Sequence, residues 1–140
     1  MKKSFFFFIV FLFVFSCQKQ QAKKEIKNVM IKQSEMAALM LRMYSFNEEN
    51  KKMILKGVVP KKYSSEFINI HTAKLTDPSD RDTIFKSYAD FYLENQKALF
   101  NTSNLDSLVS KHNNVVNSCI ACHKATCIGP IPRINKLLIK

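Results

Sequence analysis

The sequence predicts an all-α protein, an antiparallel up-down four-helix bundle followed by a C-terminal tail. Three observations carry this. Apolar residues recur at three- and four-residue steps, and no stretch sustains strand alternation. Only 2 of 140 residues are glycine, too few for the repeated turns of a sandwich or barrel. The breakers fall at Gly57 and Pro60, at Asp77 and Pro78, across Asn101 to Asn104, and across Gly129 to Pro132. They leave segments of about 30, 15, 22 and 20 residues, each of helix length. The length allows one domain, and 46% hydrophobic residues exclude a disordered basic tail.

The order of segments begins with an address. Met1 to Ser4 is a short cationic stretch, and Phe5 to Phe15 is an unbroken apolar run that holds 7 of the 12 phenylalanines. A membrane span needs about 20 apolar residues, so this run reads as a secretory leader, residues 1–16. Its end, Val14-Phe15-Ser16-Cys17, resembles a bacterial lipobox. That resemblance implies cleavage before Cys17 and lipidation of its thiol; plain cleavage with an unmodified cysteine is the alternative. Residues 17–25 are polar and read as a tether. Gln18, rather than Asp, after the lipid cysteine points by resemblance to the outer membrane, facing the periplasm. Losing Lys2 and Lys3 takes the formal charge from +11 to +9. Such a surface suits anionic lipid or an acidic protein partner. Export and the lack of a Lys/Arg run with interleaved aromatics argue against nucleic acid.

The helical domain is expected over residues 26–127. The first helix offers Val29, Met36, Met40, Met43 and Ile54 on one face, and the second Tyr63, Phe67 and Ile70. The third is expected to start at Asp77, with Pro78 at its first position and Asp80 completing the cap. It places Ile84, Tyr88, Phe91, Tyr92 and Leu99 on one face. The fourth is expected to be capped by Ser103 with Asp106, and it aligns Leu105, Leu108, Val109, Val115 and Val116. Residues 128–140 form the tail.

The chemistry lies at the end of the fourth helix, where Cys119-Ile120-Ala121-Cys122-His123 is a Cys-x-x-Cys-His sequence. This is the attachment signature of c-type haem. Residues three apart share a helix face, so both thiols can reach the vinyl groups of one haem and form thioethers. His123, four residues after Cys119, then points its imidazole at the iron. The apolar stripe of the helix runs into the motif, which turns the haem towards the core. No Met or His follows His123, so any side-chain sixth ligand comes from upstream, with the first helix the facing element.

With these residues in place, the chain resembles the class II c-type cytochromes, the cytochrome c′ group. These are exported four-helix bundles with the motif on the last helix. The resemblance rests on Cys119, Cys122, His123, the four-segment layout and the Gly57-x-x-Pro60 end of the first segment, and spans about residues 25–127. It implies one haem c per chain and a first-helix residue on the distal side of the iron. Met40 is the candidate sixth ligand, with Met36 and Met43 as alternatives on its face. Aligning on Gly57 and Pro60 instead brings apolar Leu41 there and leaves the iron open. All three methionines could equally be adaptable core packing.

The remaining residues read more plainly. His112 lies about 16 Å from His123 along a helix, too far to share its iron, and is expected to pack or hydrogen-bond. His71 is expected at the surface. Cys127 is one turn past His123 and has no partner left in the chain; burial is expected, with an intermolecular disulfide and a place beside the haem edge as the alternatives. The tail carries an apolar stripe with Arg133, Lys136 and Lys140 set off from it. It can fold back over the haem edge or meet a membrane surface.

The expected function is one-electron transfer in the bacterial cell envelope, with redox partner proteins that present an acidic docking surface. Membrane attachment comes through Cys17, and a homodimer stays open. No hydrolytic or acid–base constellation accompanies the motif, so an enzyme is not expected. The alternative is a five-coordinate haem that binds or senses small gases such as nitric oxide. A haem-free zinc or thiol site on Cys119, Cys122, His123 and Cys127 is the third reading. One continuous helix cannot wrap all four around an ion.

Overall fold

The computed structural model describes residues 33–60 and 63–140. The leader, Cys17, the tether and Val29 lie outside them. The described residues are all-α: helices and 3-10 turns, with no strand. Among the described residues no helix is long and apolar enough to cross a membrane.

Helix α1 spans Glu35–Ile54 and is capped by Ser34, whose side chain accepts from the Ala37 N–H at 3.1 Å. Glu35 in its first turn and Lys51 and Lys52 in its last suit the helix dipole. It stops at Gly57, which takes φ +70°. The Val58 N–H reaches the Met53 carbonyl and the Gly57 N–H the Ile54 carbonyl, at 3.0 and 2.9 Å. This pairing needs a left-handed residue, and glycine supplies it without steric cost.

The second segment departs from expectation. Ser65–His71 is a seven-residue 3-10 helix, not a four-turn α-helix. The chain beyond it is claimed by other partners. The Lys74 carbonyl accepts from the Met36 N–H at 3.0 Å, and the Lys74 N–H donates to Glu35 Oε2 at 3.0 Å. Arg81 takes the carbonyls of Ile70, His71 and Ala73. Groups that would propagate a helix therefore serve the start of α1 and one guanidinium. Phe67 and Ile70 are buried as expected, while Tyr63 is exposed.

Asp77 and Pro78 open only a short 3-10 turn, Pro78–Asp80. Asp77 bonds locally to Ser79, which holds its carboxyl below the usual range, first through the Ser79 side chain and then its N–H. Arg81, turned back to the earlier carbonyls, ends the turn. The true cap is Asp82, accepting from the Phe85 N–H at 2.7 Å, and α2 spans Thr83–Phe100. Its buried stripe is Phe85, Ala89, Tyr92, Gln96 and Leu99. Of the expected face, Tyr92 and Leu99 are buried and Tyr88 is half-buried, whereas Ile84 and Phe91 are 57% and 48% exposed and Phe85 and Ala89 take their place in the core.

Helix α3 spans Leu105–Thr126 and is capped by Asn104, not Ser103. Asn104 accepts from Asp106 N–H at 2.9 Å. It buries Leu108, His112, Val115, Val116 and Ser118, while Leu105 and Val109 face solvent. Helices α2 and α3 make the most extensive contact, with α1, from Met36 to Ile54, and the 3-10 helix closing the same core. Phe46 of α1 packs edge-on to Phe67, ring centroids 5.1 Å apart, and lies 5.8 Å from Phe100.

The tail folds back onto the helices. A single turn, α4 (Ile131–Ile134), leads into a 3-10 turn, Asn135–Leu137. Ile134, Leu137 and Ile139 are buried. Lys51 donates to the carbonyls of Lys136 and Leu138 at 2.9 and 2.7 Å. His112 Nε2 meets the Leu137 carbonyl at 3.0 Å. Since a carbonyl only accepts, Nε2 carries the hydrogen and Nδ1 is left bare in the core, without a partner.

Two predictions follow from this packing. Arg81 supplies three charge-assisted bonds, so Arg81→Ala is expected to cost about 2 kcal/mol in urea unfolding. Arg81→Lys should recover only part, because a lysine lacks the fork. Burial, the largest cause, pushes the His112 pKa below its ordinary 6.5, ahead of the opposing bond to Leu137. The unfolded chain then binds the proton more tightly, so His112 favours the fold fully above pH 6.5. That contribution is lost as the pH falls from 6.5 through the lowered value. His112→Gln should flatten this part of the stability–pH curve.

Candidate functional site

The Cys-x-x-Cys-His sequence lies within the continuous last turns of α3, as its spacing requires. Cys119, Cys122 and His123 are each half-buried. Cys119, Cys122 and Cys127 are free thiols. Cys119 packs against two clusters: the main core, and the smaller one that Val116 forms with Ile134 and Leu137. Burial, then the neighbouring Cys122, pushes the Cys119 thiol up to about 12. The Cys122 thiol is raised too, by burial first, against a lowering bond from Thr126.

The end of α3 decides the state of His123. Cys127 is its C-cap, with extended backbone, and its N–H donates to the His123 carbonyl at 3.0 Å. In return, His123 Nδ1 lies 3.0 Å from the Cys127 carbonyl oxygen. That oxygen cannot donate, so Nδ1 carries the hydrogen. The lone pair is therefore on Nε2. The Cys127 thiol, also 3.1 Å from Nδ1, lies beside the same N–H. Burial was the expected lot of Cys127, yet it is exposed. Its backbone, not its packing, is what the site uses, and a residue-by-residue reading of types carries no signal for that.

The core beside Cys119 is partly polar. Tyr92 accepts from Gln96 Nε2 at 2.8 Å, both fully buried. Its hydroxyl pKa is held well above 10, by burial first and then by Cys119. Asn47 donates to the Met43 carbonyl at 2.9 Å, leaving its Oδ1 without a partner, as is Gln96 Oε1. Neither Asn47 nor Gln96 stood out in the sequence. A polar residue at a core position is legible only once the phase of the helix is known.

The first-helix residues divide. Met36 and Met43 are buried in the core, at 6% and 4% exposure, Met40 is half-buried at its edge, and Leu41 is exposed. His71 pairs with Asp90 at 3.1 Å, joining the 3-10 helix to α2. Among the described residues no group of three or more His, Cys, Asp or Glu side chains could hold a metal ion. Cys119, Cys122, His123 and Cys127 thus do not converge on one point. No family model, curated protein or solved structure matches this chain.

The thiols should differ in reactivity. In the haem-free chain at pH 8, Cys119 is expected to alkylate on the order of a hundredfold more slowly than exposed Cys127, because its thiolate is scarce and covered. Peptide mapping after timed iodoacetamide treatment reads this directly. Equal rates would contradict the burial.

Proposed function

We propose that this chain is a c-type cytochrome of the cytochrome c′ kind, carrying one haem and transferring single electrons in the bacterial cell envelope. The observation that carries the reading is the set Cys119, Cys122 and His123 on one unbroken helix, with His123 Nδ1 engaged and Nε2 bare. Two free thiols three residues apart suit two thioethers. An imidazole whose outer nitrogen is tied to a carbonyl suits an axial ligand, since that bond fixes both tautomer and ring orientation.

The haem, once attached, supplies an iron that takes up and gives back one electron. The chain's own residues do the rest. Cys119 and Cys122 anchor it. His123 holds its ring in place through Cys127. The apolar stripe of α3 excludes water, and burial and the axial ligands set the potential. The leader and a lipid on Cys17 would deliver the protein to the outer membrane, facing the periplasm. The basic surface would steer acidic redox partners to it.

We read the helices as an up-down bundle, with the long 3-10 segment standing where a second helix would be. The contacts then favour Met40 as sixth ligand. Tyr44 and Cys119 share one cluster. Lys51 and His112 both bind the tail at adjacent carbonyls. Each pair is seven residues from the other, in opposite directions along α1 and α3. Four residues further on, the same antiparallel register pairs Met40 with His123. Met36 and Met43 remain alternatives. Leu41, on the exposed side, favours an open iron and the gas-binding reading less.

The absorption spectrum of protein purified from the envelope separates these. His/Met iron is expected to be low-spin, with little response to carbon monoxide, and Met40→Ala should convert it to a high-spin, carbon monoxide-reactive form. A high-spin spectrum in the unaltered chain would instead favour gas binding.

A further inference from the structure

The segment Pro130–Lys140 has been given no role towards the haem, yet it is firmly held. It turns back past Cys127 and runs along α3 towards that helix's start. Ile134 and Leu137 bury against Val116, and Tyr44, Cys119 and Ile120 pack on the same cluster. Arg133 lies over the Tyr44 ring, 4.2 Å from its centre. Further along, Asn113 bonds Ile139 in both directions: its Nδ2 donates to the carbonyl at 2.8 Å, and its Oδ1 accepts from the N–H at 2.9 Å. Lys51 from α1 donates to two carbonyls of the segment, and His112 to a third.

Ordering a segment that forms only single turns is entropically costly. Here three buried apolar side chains and five bonds to backbone offset it, and the bonds come from two helices. The first turn of the segment adjoins the stretch of α3 that carries Cys119. Its second half is where the anchors act. We propose that Pro130–Lys140 is a latched wall of the haem site, and that Lys51 and Asn113 are the positioning residues that keep it closed. The inference rests on the haem reading. A closed wall keeps water from the haem on the Cys119 side, and a drier site raises the potential by disfavouring the more charged oxidised centre.

The test uses the holoprotein and two readouts, amide exchange and midpoint potential. Asn113→Ala removes both bonds to Ile139 without changing charge. It is expected to speed exchange at the Ile139 amide by about tenfold and to lower the potential, with the haem still attached. Leu137→Ala, which loosens the segment from its apolar side, should move both readouts the same way and serves if Asn113→Ala does not accumulate. Lys51→Met removes both bonds to the Lys136 and Leu138 carbonyls and is expected to speed exchange in the segment, and Lys51→Arg, which keeps a cation and donors, to restore it. A potential unchanged in the Asn113 and Leu137 variants would overturn the proposal, whether or not exchange quickens. Exchange in Lys51→Met no faster than in the unaltered protein would overturn the role given to Lys51. Absence of covalent haem from the unaltered chain would overturn the reading beneath it instead.

Discussion

The hydrogen bond between His123 Nδ1 and the Cys127 carbonyl joins the end of a helix to its chemistry. The same residue donates its N–H to the His123 carbonyl, so the helix terminus and the imidazole are fixed by one closed ring of contacts. A helix that frayed at residue 122 would lose the carbonyl, the ring orientation and the common face of the two thiols together. The C-cap is thus part of the site. Cys127 enters it through its backbone. Its side chain is exposed, and the work is done by the backbone that its extended conformation presents.

Holding α3 unbroken through to Thr126 is a matter of what packs on it. On one side it meets α2 along the stripe Phe85, Ala89, Tyr92, Gln96 and Leu99. On another it meets the returning segment, so that Val116 is buried against Ile134 and Leu137 and Cys119 packs on the same cluster. The interior between them is partly polar, with Gln96 bound to Tyr92 and Asn47 to a helix carbonyl. Burial raises the Cys119 thiol strongly in this setting. A folded, closed chain therefore presents Cys119 as an unreactive thiol. On the proposed reading, haem attachment belongs to a stage at which this region is still open.

The sequence carried the helical class and the site motif, because both rest on short-range spacing. The period of α1 and the run of α3 into Cys119 could be read from apolar positions alone. The second segment could not. Its fate turns on Arg81 and on the first turn of α1, which take the carbonyls and N–H groups a longer helix would need. The stripe of α2 was legible in part: Tyr92 and Leu99 are buried as expected, but Ile84 and Phe91 are as apolar as Phe85 and lie on the exposed side. The burial of Gln96 in place of a hydrophobe is settled only by Tyr92. Caps shifted for the same kind of reason: Asp82 and Asn104 compete with nearby Asp77 and Ser103, and only the path of the chain chooses. The tautomer of His123 depends on a backbone atom, which residue types do not show.

The central claim is that Cys119 and Cys122 carry one haem through two thioethers. Mass analysis of protein purified from the envelope, denatured and extracted with acidic organic solvent, tests it most directly. The account predicts a chain heavier by one haem, with Cys119 and Cys122 both blocked to alkylation and carried on the haem-bearing peptide. A chain of unmodified mass at these positions, with both thiols free or joined to each other, would contradict it.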